Sequence, residues 1–160
     1  CTRVGVFVNA DHNAVREAAD AYRLDVLQFH GDEPPDYCAA FNRKVVKVFR
    51  VSDTLPLEDM RRYSVDAWQL DTADAQQYGG TGKVFDWQIV DEAQALGPLI
   101  LSGGLTTGNL RSALDLVQPY AVDLSSGLET SPGNKDHALI RKAVYIRNQY
   151  LLERKPDTKS

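Results

Sequence analysis

The sequence predicts an α/β protein built on a parallel sheet, and two recurring patterns carry that prediction. Short apolar runs rich in β-branched residues occur at 3–9, 25–30, 44–51, 65–71, 98–102 and 121–125. Because polar residues alternate only weakly within them, they are typical of strands buried on both faces. Each run is followed by a segment with helical spacing. Six alternations of strand and helix indicate right-handed βαβ units, with active groups at the carboxyl ends of the strands.

The intervening segments carry recognisable helix signals. The first has an apolar face with a 3.6-residue period, and either Asp11 or Asn13 can serve as its N-cap. Pro34 stands where the second helix starts, a position that favours proline. His12 and His137 lie beside helix starts and are expected to be solvated. The remaining helices are predicted at 34–42, 56–63, 86–96, 107–117 and 136–152.

The number of units leaves two architectures open. A complete (β/α)8 barrel uses about 250 residues, or about 31 per unit. Dividing 160 residues among six units gives roughly 27 each, so the units are full-sized but fewer than eight. The fold is either an open, doubly wound sheet or a barrel with two units fewer. We expect one domain over 1–153, followed by a frayed tail at 154–160 that has no apolar residue.

Composition excludes several classes of partner. The chain has 22 acidic and 18 basic residues and no basic cluster, which argues against nucleic acid. No apolar run approaches the ~20 residues of a membrane helix and no signal peptide opens the chain, so we expect a cytoplasmic protein without a membrane partner. Cys1 and Cys38 have no metal-binding or disulfide spacing. Cys38 lies among apolar residues and is expected to fill core space.

Two consecutive strands end in residues suited to binding phosphate. Gly103 and Gly104 follow the strand at 98–102, and a helix is predicted shortly afterwards. Bare backbone N–H groups and a helix N-terminus both favour an anion. The next strand ends in Ser125, Ser126 and Gly127. The glycines could instead only form tight turns, but two such loops in succession favour phosphate, which is commonly bound there in barrels.

Three titratable residues also end strands. Asp71 precedes a long loop at 72–85 that could close over it, so we predict that it is a general acid, although an Asp there can also cap a turn. Asp123, on the last strand, could bind a polar substrate group or form a salt bridge. His30 could donate to an anionic substrate or bond only to backbone.

Five stretches together resemble one enzyme family. They read RVGVFVN at 3–9, LQFHGDE at 27–33, GGTGKVFDW at 79–87, LSGGL at 101–105 and VDLSSGLE at 122–129. In this order and spacing they resemble phosphoribosylanthranilate isomerase, from its third barrel strand to its last helix. The resemblance implies a TIM-barrel type fold with six of eight βα units present. It also implies an Amadori rearrangement of N-(5-phosphoribosyl)anthranilate in tryptophan biosynthesis, without metal or cofactor.

The resemblance also implies a role for each candidate residue. Asp71 would be the general acid that protonates the furanose ring oxygen. Asp123 would lie near the anthranilate amine and His30 would line the site. The substrate phosphate would be held by the loops after the last two strands, at Gly103, Gly104, Ser125, Ser126 and Gly127.

The chain departs from the family at its beginning. The family's first strand carries a Lys-x-Cys-Gly motif whose cysteine is the general base, and its second unit carries an arginine for the anthranilate carboxylate. Cys1 does not match, because Thr2 and Arg3 follow it. We therefore expect an N-terminally truncated barrel with impaired turnover.

Two consequences and two alternatives follow from this expectation. Open sheet edges predict self-association into a homo-oligomer, and phosphate binding should survive better than turnover. One alternative is a non-catalytic, phosphate-binding or self-assembling barrel fragment. The other, indole-glycerol-phosphate synthase, is disfavoured because no lysine ends a strand.

Overall fold

Six parallel strands form one sheet, and their order in the sheet is their order in the chain. The structure is a computed structural model that describes residues 1–51, 55–72 and 87–154. The strands are β1 (Val4–Phe7), β2 (Val26–Phe29), β3 (Lys44–Val51), β4 (Ala67–Thr72), β5 (Leu99–Ser102) and β6 (Ala121–Val122). Every neighbouring pair is parallel. The predicted parallel α/β sheet is therefore confirmed.

A helix follows each strand. The helices are α1 (His12–Ala21), α2 (Pro35–Ala39), α3 (Leu57–Met60), α4 (Trp87–Leu96), α5 (Leu110–Val117) and α6 (His137–Glu153). Between β6 and α6 the chain forms a 3-10 turn, Ser126–Leu128, and a small antiparallel pair, β7 (Glu129–Ser131) and β8 (Asn134–Lys135). No helix within the described ranges is long and apolar enough to cross a membrane.

The first five helices pack on one face of the sheet, which decides between the two architectures. Leu27 and Phe29 form a buried cluster with α1 and α2, whereas Phe49, Leu70 and Leu101 form one with α3, α4 and α5. The strand register puts these residues on a single face. A doubly wound sheet carries helices on both faces, so that alternative is wrong. The described sheet is a parallel half-barrel, with α6 packed on α5.

Helices α1 and α6 both start at aspartate caps. The Asp11 carboxylate accepts from the backbone N–H groups of Asn13 and Ala14, so Asp11 and not Asn13 is the N-cap of α1. Asp136 caps α6 in the same way, accepting from Ala138 and Leu139. These bonds satisfy N–H groups that have no partner within the helix. They fix the direction in which each helix leaves the loop at the carboxyl edge of the sheet.

Several element bounds differ from prediction. Helices α2 and α3 are shorter than the predicted 34–42 and 56–63. Helix α5 starts at Leu110 rather than 107 because the Asn109 side chain accepts from Thr106 N–H at 2.8 Å and holds residues 106–109 in a turn. Strand β6 is two residues long, not five, and its ladder ends where Asp123 N–H donates to the Leu101 carbonyl.

One side-chain prediction holds only in part and two predictions cannot be compared. His12 is partly exposed, because its ring stacks on Phe41 with centroids 4.3 Å apart and meets the edge of Tyr37. His137 is exposed as predicted. The predicted long loop, with its glycine-rich stretch at 78–82, lies almost wholly outside the described residues. So does the tail beyond Arg154, which itself donates to the Tyr150 hydroxyl and Gln118.

Candidate active site

A cavity of about 540 Å³ opens at the carboxyl ends of the strands. It is lined by Val6, Gln28, His30, Gln69, Asp71, Ser102, Gly103, Gly104, Leu105, Asp123, Ser125 and Ser126. Seven of the eight residues predicted from the sequence therefore meet around one space. The exception is Gly127, which is not part of the lining.

The alternation of side chains along each strand explains the polar lining. Leu70 faces the helices, so Gln69 and Asp71 on either side of it face the opposite surface of the sheet. The register pairs Asp71 with Ser102 of β5, and the same alternation places Asp123 on this surface. Polar residues at every second position thus gather at one end of the sheet, where Gln28 and Gln69 lie level with the buried Val46 and Val48 of β3.

His30 and Asp71 form the central contact. The imidazole Nε2 of His30 lies 2.9 Å from Oδ2 of Asp71, and both side chains are partly exposed to the cavity. This is a hydrogen-bond distance for a nitrogen and an oxygen. The contact joins the ends of β2 and β4, which are separated by β3, across the inner surface of the sheet. Sequence reasoning selected both residues but did not predict that they touch.

A buried amide organises the other half of the lining. Gln69, only 2% exposed, donates from Nε2 to Ser102 Oγ at 2.9 Å and to Asp123 Oδ2 at 3.0 Å. Ser102 Oγ in turn donates to the Leu70 carbonyl. The orientation of the Asp123 carboxylate is therefore fixed by Gln69. Sequence reasoning missed Gln28, Gln69 and Ser102, although glutamines within otherwise apolar strands were the available signal.

The two glycine-bearing loops lie side by side. Gly103 and Gly104 both have positive φ, 88° and 57°, a conformation that L side chains rarely adopt. Gly127 approaches the first loop so closely that a Cβ there would overlap the Leu105 carbonyl oxygen. Position 127 therefore requires glycine, because the two loops are in contact there. Ser125 and Ser126, which precede it, reach the cavity.

The cysteines offer no nucleophile at this site. Cys38 is 1% exposed and packs in the cluster between the sheet, α1 and α2. Burial raises the pKa of its thiol to about 11, which keeps it in the unreactive protonated form. The prediction that Cys38 fills core space is confirmed. Within the described parts of the chain, no group of three or more His, Cys, Asp or Glu side chains could hold a metal ion.

The fold and the site together define a class. Parallel strands with helices on one face and a polar cavity at their carboxyl ends are characteristic of enzymes of the (β/α)-barrel type. The model of one such family, described as N-(5'phosphoribosyl)anthranilate (PRA) isomerase, matches residues 1–145. The chain belongs to the phosphoribosylanthranilate isomerase family.

Relatives and solved structures agree with this assignment. The N-(5'-phosphoribosyl)anthranilate isomerase of Geobacter sulfurreducens is 50% identical over 141 residues, which cover 88% of this chain and 70% of the relative. A dimeric phosphoribosylanthranilate isomerase from Thermotoga maritima, crystallised as engineered monomers, superimposes with a TM-score of 0.73 at 36% identity, covering 92% of this chain and 73% of that one. A second structure, of the family's enzyme in complex with reduced 1-(o-carboxyphenylamino)-1-deoxyribulose 5-phosphate, superimposes with a TM-score of 0.73 at 35% identity, covering 92% of this chain and 72% of that one.

Proposed function

We propose that this site isomerises N-(5'-phosphoribosyl)anthranilate in tryptophan biosynthesis. The observation that carries the proposal is the single cavity that joins Asp71, Asp123 and both glycine-bearing loops. A sugar phosphate with an aromatic amine needs three things there: an anion site, a proton donor at the ring oxygen and a polar group at the amine. The enzyme of the same family that was solved with a reduced form of the product supports this choice of ligand.

The proton donor is the His30–Asp71 pair. Asp71 gives a proton to the furanose ring oxygen as the bond from C1 to that oxygen breaks, which leaves a protonated Schiff base. A base then removes the C2 proton, which in the family is the role of the cysteine in the Lys-x-Cys-Gly motif, and the resulting enolamine takes up a proton at C1 to become the 2-ketose. Because Nε2 and Oδ2 are 2.9 Å apart, His30 can return a proton to Asp71 before the next turnover. Asp123, oriented by Gln69, faces the amine nitrogen.

The substrate phosphate binds at the loops after β5 and β6. Consecutive left-handed glycines, Gly103 and Gly104, bring backbone close to the cavity, and the side chains of Ser125 and Ser126 lie across from them. Backbone N–H groups and hydroxyls are suitable donors to phosphate oxygens. Gly127 contributes by allowing the two loops to meet. No metal or other cofactor takes part in this scheme.

The six strands correspond in this proposal to the third to eighth strands of the family's barrel. The coverage of 70–73% of the compared chains supports that correspondence. The family's base-bearing Lys-x-Cys-Gly motif has no match in these 160 residues. We accordingly expect phosphate-ligand binding to be retained more fully than turnover, and the outer edges of β1 and β6, which no other described strand covers, favour self-association of the chain.

Two measurements test the function. The chain is assayed for conversion of N-(5'-phosphoribosyl)anthranilate, and calorimetry measures binding of the reduced product analogue. Asp71→Asn should abolish conversion and leave analogue affinity within a few-fold, whereas Asp91→Asn, the same change on an exposed part of α4, should alter neither. Analogue binding without turnover would favour the alternative of a non-catalytic phosphate-binding fragment. Absence of both would refute the proposed site.

A further inference from the structure

A buried ion pair lies beneath the loop that carries His30. Lys47 Nζ is 3.0 Å from Glu33 Oε2, and the two side chains are only 3% and 2% exposed. Neither residue lines the cavity of the proposed active site. Burying two charges is costly, and two apolar residues of similar size would often be as stable. The contacts made by the pair therefore need an explanation other than stability.

The pair holds Gly31 from both sides. Glu33 Oε2 accepts from the Gly31 backbone N–H at 2.9 Å, and Lys47 Nζ donates to the Gly31 carbonyl at 2.6 Å. Lys47 also reaches the carbonyl of Phe29 at 3.5 Å. The backbone immediately before and after His30 is thereby bonded to one buried ion pair, which we call the clamp.

The same clamp joins two loops of the site. The second carboxylate oxygen, Glu33 Oε1, accepts from the Asn9 backbone N–H at 2.7 Å, just beyond β1. The Asn9 side chain in turn accepts from Asp32 N–H at 2.7 Å. Asn9 packs so tightly on Gly31 that a Cβ at residue 31 would overlap it. His30 therefore leaves the sheet along a path with little freedom.

We propose that Glu33 and Lys47 are positioning residues that hold the His30 imidazole against Asp71. The clamp fixes the backbone at Gly31, the backbone fixes the start of the His30 side chain, and Nε2 is thereby held at 2.9 Å from Asp71. Neither clamp residue touches substrate. The catalytic consequence rests on the proposed function, but the positional claim can be tested in the free protein.

Nuclear magnetic resonance of the ¹⁵N-labelled chain tests the positional claim. His30→Asn identifies the His30 ring signals by their loss, and Asp71→Asn shows how they shift when the contact is broken. Glu33→Gln/Lys47→Met removes both buried charges together, since Lys47→Met alone would strand a carboxylate. We expect the His30 signals of this double variant to move toward those of Asp71→Asn. Arg111→Met/Glu153→Gln, which removes an exposed ion pair between α5 and α6, should leave them unchanged.

Turnover provides a second readout that a merely structural role would not give. The clamp variant should lower kcat about tenfold with little change in KM, because positioning is lost while the phosphate loops are intact. In a His30→Asn background the same double substitution should not lower kcat further. Equal costs in both backgrounds would overturn the proposal.

The outcomes separate this inference from the proposed function. Unshifted His30 signals in a folded clamp variant overturn the inference, whatever the activity. If the parent chain shows no turnover, the proposed function fails while the ring signals still decide the positional claim. If the double variant does not fold, Glu33→Gln alone is used. Its amide has one acceptor oxygen in place of the two that now accept from the backbone N–H groups of Asn9 and Gly31, so only one of these bonds can be kept.

Discussion

Three carboxylates near the site have different chemistry because each has a different partner. Asp71 meets an imidazole, Asp123 accepts from the buried amide of Gln69, and Glu33 pairs with an ammonium group. Only the first has a partner whose ring nitrogen can either donate or accept a hydrogen bond, since an imidazole does both. The Gln69 amide fixes the orientation of the Asp123 carboxylate, and the Glu33–Lys47 ion pair fixes the backbone at Gly31. Residue type alone does not separate these three roles.

Glu33 should make stability depend on acidity. Burial acts to raise the pKa of Glu33, but hydrogen bonds from Asn9 N–H and Lys47 outweigh it, and the pKa lies below its usual value. The folded state thus binds its proton less readily than the unfolded chain. Its stabilising contribution is present above about pH 4.3, the usual pKa of a free Glu, and is lost as pH falls through the folded value. Urea unfolding at pH 7 and pH 3.5 measures this loss.

The clamp variant is the comparison for this effect. In Glu33→Gln/Lys47→Met the decline in the free energy of unfolding between the two pH values should be smaller than in the parent chain. Arg61→Met/Glu58→Gln, which removes an exposed ion pair on α3, should decline like the parent. An equal decline in the free energy of unfolding for all three proteins would show that Glu33 does not contribute to acid sensitivity.

Gln69 should control the affinity of the amine end of the site. Replacing it with leucine removes the donor to Asp123 and leaves that carboxylate free to rotate, while Ser102 keeps its bond to the Leu70 carbonyl. Ordering the freed carboxylate again on binding costs about 0.5–1.5 kcal/mol for one side chain, so affinity for the reduced product analogue should fall by about 2–10-fold by calorimetry. Gln94→Leu removes one amide bond to the Val117 carbonyl in α5 and should not change affinity. Equal affinities in both variants would contradict the assigned role.

The sequence predicted the residues that end strands but not those below them. His30, Asp71 and Asp123 were selectable because active groups of parallel α/β folds lie at the carboxyl ends of the strands. Gln69 and Lys47 lie within strands, and their partners Asp123 and Glu33 are 54 and 14 residues away in sequence. Such pairings depend on which strands are neighbours and on their register. They could be recognised only once the sheet was known.

At the scale of elements, the loops after β5 and β6 function as one unit. The contact of Gly127 with the Leu105 carbonyl is what brings Ser125 and Ser126 opposite Gly103 and Gly104. Lys135 of β8 also donates to the Ser125 carbonyl at 2.9 Å. The small antiparallel pair thus supports the second loop from outside. This pair also accounts for the stretch of chain between the short strand β6 and helix α6.

Gly127→Ala should separate these loops. The added methyl cannot fit against the Leu105 carbonyl, so the backbone must shift, at a cost of about 1–3 kcal/mol. Both the free energy of unfolding and the affinity for the reduced product analogue should fall. Gly108→Ala adds the same methyl where the nearest atom, Thr106 Oγ1, is an ordinary 3.5 Å away. If the two variants behaved alike, close approach would not be the reason for glycine at 127.

Helical periodicity predicted the long helices better than the short ones. Helices α1 and α6 begin close to the predicted positions because their aspartate caps are visible in the sequence. Helices α2 and α3, of five and four residues, were overextended because polar loop residues continue a plausible helical pattern. The β7–β8 pair was missed because its strands are short, polar and exposed. It depends on Gly133 at φ 79° and on the ion pair of Lys135 with Glu129.

At the scale of the whole molecule, the side on which helices pack could not be derived from strand composition. Val45 and Val46 are both buried, although one faces α1 and α2 and the other faces the interior. Strands covered on both sides have no polar face to orient them. The same apolar runs are therefore expected in a doubly wound sheet and in a barrel. The distinction comes from the crossovers, which all lie on one side here.

The open sheet also leaves two edges available for association. Among the described strands, β1 has a neighbour on one side only, and Val4, Val6 and Val8, in it and just after it, are 47%, 58% and 59% exposed. Strand β6 forms the other edge, beside Tyr120, which is 78% exposed. Free backbone groups and apolar side chains on one edge favour pairing with another chain. Light scattering at micromolar concentration should give a mass of at least twice the 17.8 kDa of one chain.

A charged edge should reverse this association. Val4→Lys places an ammonium group on the free edge of β1, where pairing with a second chain would bury it, so the mass should fall toward that of one chain. Leu116→Lys is the matched control, because Leu116 is 45% exposed and belongs to α5 rather than to either edge strand. Its mass should equal that of the parent chain. A parent chain that scatters as a monomer, or a control that dissociates as readily as Val4→Lys, would show that the sheet edges do not join the copies.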